Sequence, residues 1–246
     1  MSDSPYQELI DDPPQTRTVG RRVFAFDVID STNRHTLEQG EQGAVYVADC
    51  QTAGRGRLGR SWHSAPGLGL WFTVALDGLW EGVPIIAALA VRDALADRCA
   101  LTIKWPNDLL LNGKKVCGIL AEHRNDRTAL GIGLNVHHAI GDFPEELREK
   151  ASSLEAELGG SWDRCAILRD VLTDLDGKVM LVQDQGADAL RAEWAEACAL
   201  IGRRIQCGEV VGEVRALDAT GALMVSSDDG AQHTIHAGDI HYLDGG

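Results

Sequence analysis

Gly54-Arg55-Gly56-Arg57-Leu58-Gly59-Arg60 places three arginines and three glycines in seven positions. Its outline, G-x-G-x-x-G, is that of the phosphate loop of a doubly wound dinucleotide fold, so its surroundings decide the fold class. That fold needs a strand before the loop, a helix opening within it, and an acidic residue about 20 positions later. Ala44–Cys50 is apolar and β-prone and supplies the strand. Ser61–Gly69 reads as loop, and Asp77 ends the next strand with no helix between. The Gly-Lys-Ser/Thr of a P-loop is also missing. Both nucleotide folds are set aside, and an anion cradle remains. Glycine turns tightly and exposes backbone N–H groups, while arginine presents a planar fork of donors to carboxylates and phosphates. No acidic residue lies between Cys50 and Leu76, so the three cations lack a local partner and a small anion is expected among them.

The rest of the chain narrows the partner. Its 246 residues carry a formal net charge of −14, with 44% apolar and 24% charged residues. Such a balance suits a soluble globular protein and excludes the broad basic face that nucleic acid requires. No signal segment and no apolar run of membrane-spanning length is present, so no membrane partner is expected. The six cysteines lack C-x-x-C spacing and read as reduced, mostly buried thiols of a cytoplasmic protein.

Periodicity predicts an α+β fold. Residues 1–20, with Asp11-Asp12-Pro13-Pro14, read as a flexible or partly ordered lead. Strands are expected over Val23–Ile29, Ala44–Cys50, Leu68–Leu76, Leu101–Trp105 and Thr128–Val136. Asn112-Gly113 predicts a two-residue hairpin between Leu109–Leu111 and Val116–Ala121. Helices are expected from Ser31 to about Gln39, from Pro84 to about Arg98, over Asp163–Gln183 and over Ala187–Cys198. From Arg203 onward, short alternating runs split by turns predict a small β-barrel of about five strands. The expected organisation is a lead (1–20), a mixed or antiparallel sheet flanked by helices (21–200) and a β-barrel (201–246).

Several segments carry chemistry. Ser31-Thr32-Asn33 caps a helix, and its hydroxyls and amide also suit a small polar head group. Gln51 offers a further polar contact. Lys104-Trp105-Pro106-Asn107-Asp108 gathers a cation, an aromatic, an amide and a carboxylate at one turn, a set suited to a nucleotide with magnesium. Gly118, Gly131 and Gly133 inside strands mark close approach by a ligand or another backbone.

Taken in order, Ser31–Asn33, Gln51, Gly54–Arg60 with Trp62, Lys104–Asp108, Lys115 through Gly118-Ile119-Leu120, and Gly131–Val136 with the closing small domain resemble the biotin–protein ligase family over roughly residues 22–243. The resemblance implies a class II synthetase-like catalytic domain and two chemical steps. ATP and biotin would give biotinyl-5′-adenylate, and biotin would then pass to a lysine of a biotin carboxyl-carrier domain. It implies biotin contacts from Ser31, Thr32, Asn33, Gln51, Arg55, Gly56, Arg57, Lys115 and Gly118. Nucleotide contacts would come from Arg57, Arg60, Trp62, Lys104, Asn107 and Asn135, with Asp108 at the magnesium. Lys115, Arg57 and Arg55 would carry the catalytic charge. Leu58 departs from an arginine found there in some relatives. Those relatives that also repress transcription carry an N-terminal DNA-binding domain. Only about 20 residues precede the first core strand here, so a monofunctional ligase without DNA binding is expected. Monomer and homodimer both stay open. The rival readings are a lipoate ligase or acyl-protein transferase on the same fold, and a non-catalytic biotin sensor.

Overall fold

A computed structural model describes residues 4–80, 82–218 and 220–243. Residues 1–3, 219 and 244–246 of the expected lead and C-terminal unit lie outside them. The apolar run at Leu68–Leu76 becomes β3 (Gly69–Asp77), buried at every position but the last. Around it β1 (Val23–Ile29), β2 (Val45–Gln51), β4 (Thr102–Lys104), β5 (Asp108–Leu111), β6 (Lys114–Arg124) and β7 (Arg127–Asn135) complete a seven-stranded sheet, ordered β1-β2-β3-β7-β6-β5-β4. β1 and β2 are parallel and every other pair is antiparallel, as expected of a mixed sheet.

Strand alternation sorts the two faces of the sheet. Phe72 and Val74 enter the main hydrophobic core with α3 (Val83–Ala94) and α5 (Arg164–Gln185). Thr73, between them, points the opposite way toward α2 (Thr32–Gln39), whose first turn it touches. α2 begins where Ser31 Oγ accepts from the Arg34 amide, the cap anticipated from the sequence. Asn112 and Gly113 take φ of 51° and 80°, which is the hairpin geometry that Asn-Gly favours.

Within the expected lead, the described residues 4–20 are partly ordered and packed on the core. A short helix, α1 (Gln7–Asp11), leads with Tyr6 and Leu9 fully buried, and Val19 is buried as well. The cause lies on α5. Asp176 accepts from the amides of Arg17, Thr18 and Val19 and from the Thr18 hydroxyl. Burial alone would raise the Asp176 carboxyl. The Thr18 hydroxyl and the three amides outweigh burial and hold it below the usual carboxylate range. Its contribution to stability is therefore complete above the unfolded value of about 4 and is lost as pH falls through the lower folded value. Asp176→Ala is expected to cost about 2–4 kcal/mol at neutral pH, because buried amides lose a charged acceptor. The gap in melting temperature from the unchanged chain should shrink below about pH 4. A gap that stays constant down to about pH 2 would refute the linkage.

The helix from Pro84 stops at Ala94, short of Arg98, where its last turn tightens into bonds from Leu95 and Ala96 to residues three back. The stretch Ala187–Cys198 divides into a 3₁₀ turn and α6 (Arg191–Cys198). One short helix, α4 (Leu154–Leu158), was not anticipated. Beyond α6, β8 (Arg204–Cys207), β9 (Val210–Leu217), β10 (Leu223–Ser227), β11 (Gln232–Ile235) and β12 (Ile240–Tyr242) form the small β domain in the order β11-β10-β9-β8-β12. Among the described residues β11 and β12 do not pair, so the sheet stays open where a closed barrel was expected. Closure requires the strands to tilt and stagger until the two edges meet, and β11 and β12, four and three residues long, stay at opposite edges of the sheet. The domain seats on the first through Trp105, whose Nε1 donates to the Gly221 carbonyl at 2.8 Å.

Candidate active site

A cavity of about 510 Å³ opens over the glycine positions of β6 and β7. Its walls are the start of α2, the loop from Arg55 to His63, and the turn at Lys104–Asp108. The bare glycines are structural necessities here. Gly118 and Gly133 face each other across the ladder, and a Cβ on either would meet the Trp62 ring at 2.7 and 2.6 Å. A Cβ on Gly131 would stand 2.1 Å from Asn33 Oδ1. Trp62, expected to wall the nucleotide, thus sits against the glycine floor of the cavity, and among the described residues its buried Nε1 has no partner.

One end of the cavity is a dense network of oxygens. Gln51 Oε1 receives the Thr32 amide at 2.9 Å and lies 3.1 Å from Thr32 Oγ1. Thr73 Oγ1 lies 2.7 Å from both Thr32 Oγ1 and Asn33 Oδ1. Three oxygen–oxygen contacts are therefore served by only two hydroxyl protons. The Asn33 amide cannot supply a third, since its Nδ2 donates away to the Leu120 carbonyl and to Glu122. The Gln51 amide likewise turns away, to Ser64 Oγ. The network is short of one donor, and on its cavity side Thr32, Asn33 and Gln51 present acceptors to a ligand N–H or O–H, with Thr73 fully buried behind them.

The other end is cationic. The glycine-arginine loop is a small hairpin, with an antiparallel bridge between Arg55 and Ser61 and Leu58 exposed at its tip with φ of 56°. Its arginines are not as isolated as the local sequence implied. Arg55 pairs with Glu122 at 3.0 Å and Arg60 with Asp239 at 3.3 Å. Arg57 makes no ion pair among the described residues and donates to Asn107 Oδ1 at 2.8 Å. Sequence neighbours therefore misreported two of the three, because the partners arrive from β6 and from the C-terminal domain. Of the three loop arginines, Arg57 is the one with no acidic partner among the described residues.

Lys115 completes the set. A register shift between Leu109 and Leu110 leaves Val116 as an extra residue in β6, and such bulges re-aim side chains. The Lys115 Nζ lies 2.5 Å from Asp108 and 5.1 Å from the centre of the Trp62 ring. Its backbone is gripped on the far side, donating to the Lys150 carbonyl and accepting from the Ser152 amide, both at 2.9 Å. The same Ser152 accepts from Asn135 Nδ2 through its carbonyl and donates its hydroxyl to Glu157. Asn107 Nδ2 donates to the Ile119 carbonyl at 2.7 Å. Both asparagines expected at the adenine thus have their amide nitrogens held by protein carbonyls.

Residues 25–138 match the Biotin/lipoate A/B protein ligase family, and residues 202–241 match the Biotin protein ligase C terminal domain. The Bifunctional ligase/repressor BirA of Bacillus subtilis is 32% identical, over 92% of this chain and 75% of that protein. The Biotin--[acetyl-CoA-carboxylase] ligase of Mycobacterium tuberculosis is 33% identical, over 87% of this chain and 86% of its own. The chain belongs to the biotin protein ligase family. Its fold agrees. Biotin protein ligase from Aquifex aeolicus, solved with biotin and ATP, superposes with a TM-score of 0.79 at 29% identity, covering 90% of this chain and 98% of that one.

Against that family background, the structure brings together all the residues singled out from the sequence. Ser31, Thr32, Asn33, Gln51, Arg55, Gly56, Arg57, Arg60, Trp62, Lys104, Asn107, Asp108, Lys115, Gly118 and Asn135 all line the one cavity. Thr73 and Glu122 were missed, and so was the stretch that contributes Phe143, Leu147 and Lys150. Thr73 sits inside an apolar strand and Glu122 near the end of another, so neither carries a local motif. A polar residue within a buried run, as in Leu70-Trp71-Phe72-Thr73-Val74, was the one available signal.

Proposed function

We infer that this chain is an ATP-dependent biotin–protein ligase that forms biotinyl-5′-adenylate and passes biotin to a carrier lysine. The observation that carries the reading is the missing donor at the Thr32–Thr73–Gln51 end, set across the cavity from Arg57 and Lys115. Biotin's ureido ring supplies N–H donors, and its valerate chain puts a carboxylate at the opposite end. A lipoyl ring carries no N–H, so it would leave the same oxygens short of a proton.

In the first step a biotin carboxylate oxygen attacks the α-phosphorus of ATP. The bond from that phosphorus to the bridging oxygen breaks and pyrophosphate leaves. Two anions must meet, so Arg55, Arg57 and Lys115 screen the repulsion and take up charge on the α-phosphoryl oxygens. In the second step a lysine amine attacks the acyl carbon and AMP leaves as its leaving group. No enzyme nucleophile is required. Asp108 is the carboxylate available to magnesium, which this ion commonly takes together with substrate phosphates. Among the described residues no cluster of three or more metal-binding side chains occurs. When bound, magnesium would add neutralising charge to the phosphates. We assign catalysis to residues 21–200, with residues 201–246 as a β domain whose Asp239 reaches the arginine loop.

The partners are biotin carboxyl-carrier domains of biotin-dependent carboxylases. The net charge of −14 supports leaving DNA out. All six cysteines are free, which supports a reducing, cytoplasmic setting, and among the described residues no helix is long and apolar enough to cross a membrane. Pyrophosphate release tests the reading, with ATP and either biotin or lipoate offered to the full chain. Release with biotin alone is expected, and release with lipoate alone would overturn it.

A second measurement isolates Arg57. Arg57→Gly should let the adenylate escape about tenfold faster or more, since a charge-assisted contact to phosphate is lost. Labelling of an unrelated protein's lysines should rise in step. Adenylate retained through gel filtration as well as in the unchanged chain would sink this role.

A further inference from the structure

We propose that Glu122 is a positioning residue that couples recognition of the head group to placement of the arginine loop. The inference rests on the biotin-ligase reading above and adds a residue to it. Glu122 Oε2 accepts from Asn33 Nδ2 at 2.9 Å, and Glu122 Oε1 accepts from Arg55 Nη1 at 3.0 Å. One carboxylate on β6 thus holds the start of α2 with one oxygen and the loop with the other.

The Asn33 contact has a chemical consequence. An amide can sit in two orientations related by a flip, and its surroundings choose between them. Glu122 and the Leu120 carbonyl both accept and neither donates, so Asn33 must turn its nitrogen toward them. Its oxygen is thereby aimed at Thr73, beside Gly131, where it adds to the acceptors of the head-group end. Without Glu122 only the Leu120 carbonyl, at 3.2 Å, would favour that orientation. A flipped Asn33 would present N–H groups to the ligand's own N–H donors. The Arg55 contact works on the loop. The guanidinium has five N–H donors in a fixed fork, and anchoring Nη1 on Glu122 leaves the remaining edge for the cavity that Arg55 lines.

The test measures biotin and ATP binding separately by titration calorimetry on the full chain. Glu122→Ala should weaken biotin about tenfold, in keeping with loss of charge-assisted hydrogen bonds, and leave ATP within about twofold. Glu122→Gln keeps the shape and serves if the alanine variant fails to fold, with an intermediate loss for biotin. In turnover, KM for biotin should rise about tenfold, and kcat should fall by a smaller factor because Arg55 loses its anchor. The double variant Glu122→Ala/Arg55→Ala should bind biotin more tightly than the product of the two single effects requires, since residues in contact are not additive. Biotin affinity unchanged in both Glu122 variants would overturn the inference, as would biotin and ATP affinities falling together. If the unchanged chain itself bound no biotin, the proposed function would fail and this inference with it.

Discussion

Lys115→Ala is expected to slow biotinyl-adenylate formation by about 10²–10³-fold, the usual loss when one preorganised charge-stabilising group is removed. The geometry makes the loss specific. The β-bulge at Val116 turns Lys115 toward Asp108, and backbone bonds to Lys150 and Ser152 hold the strand from behind. Removing the ammonium deletes one screening cation and leaves Asp108 facing the phosphates without its partner. Both changes raise the barrier for joining two anions. The loss should fall on kcat, because Gln51, Thr32 and Asn33 still grip the other end of biotin. The side chain is about a third exposed, at 31%, and packs little core, so the melting temperature should move by no more than about 2 °C. Single-turnover adenylation measured beside a thermal melt checks both parts. A fully active alanine variant would remove Lys115 from the chemistry.

Gly131→Ala is expected to weaken biotin binding by more than about 100-fold and to destabilise the chain by about 1–3 kcal/mol, the range of an overpacked site. The added methyl would stand 2.1 Å from Asn33 Oδ1 and 3.0 Å from its Nδ2. Asn33 has little freedom to retreat, because Leu120, Glu122 and Thr73 hold it from two strands. Either α2 shifts or Asn33 leaves the cavity, and both break the row of acceptors. Gly141→Ala is the control, since a methyl there meets nothing within 4 Å. Calorimetry with biotin and melting of both variants decide the matter. Near-normal biotin affinity in Gly131→Ala would show that Asn33 is dispensable.

Much of the fold could be read locally. Each of the early strands is an apolar run, and Ser31, Asp163 and Asn112-Gly113 are start and turn signals that act within a few residues. The dinucleotide outline of the arginine loop fell to a local test as well, and no doubly wound sheet formed. The failures were non-local. Residues 4–20 show little apolar periodicity, yet Tyr6, Leu9 and Val19 are buried, and Asp176, on a helix some 157 residues away, accepts the amides of Arg17, Thr18 and Val19. The C-terminal strands alternate as a barrel should, yet whether β11 reaches β12 depends on tilt and length, which periodicity does not encode.

The candidate site divides in the same way. Its inventory was legible, since glycines inside strands, hydroxyls at a helix start and a run of arginines each state a chemical capacity in their own side chains. By itself the sequence determined the fold class, the family resemblance and the chemical inventory of one part of the cavity wall, without the stretch that adds Phe143, Leu147 and Lys150. Only the tertiary structure decided how those residues are paired. Arg55 meets Glu122 from 67 positions away and Arg60 meets Asp239 from 179, while Arg57, among the described residues, donates to the neutral amide of Asn107. Coulomb attraction and hydrogen bonding depend on distance through space, and strand register and domain seating set that distance.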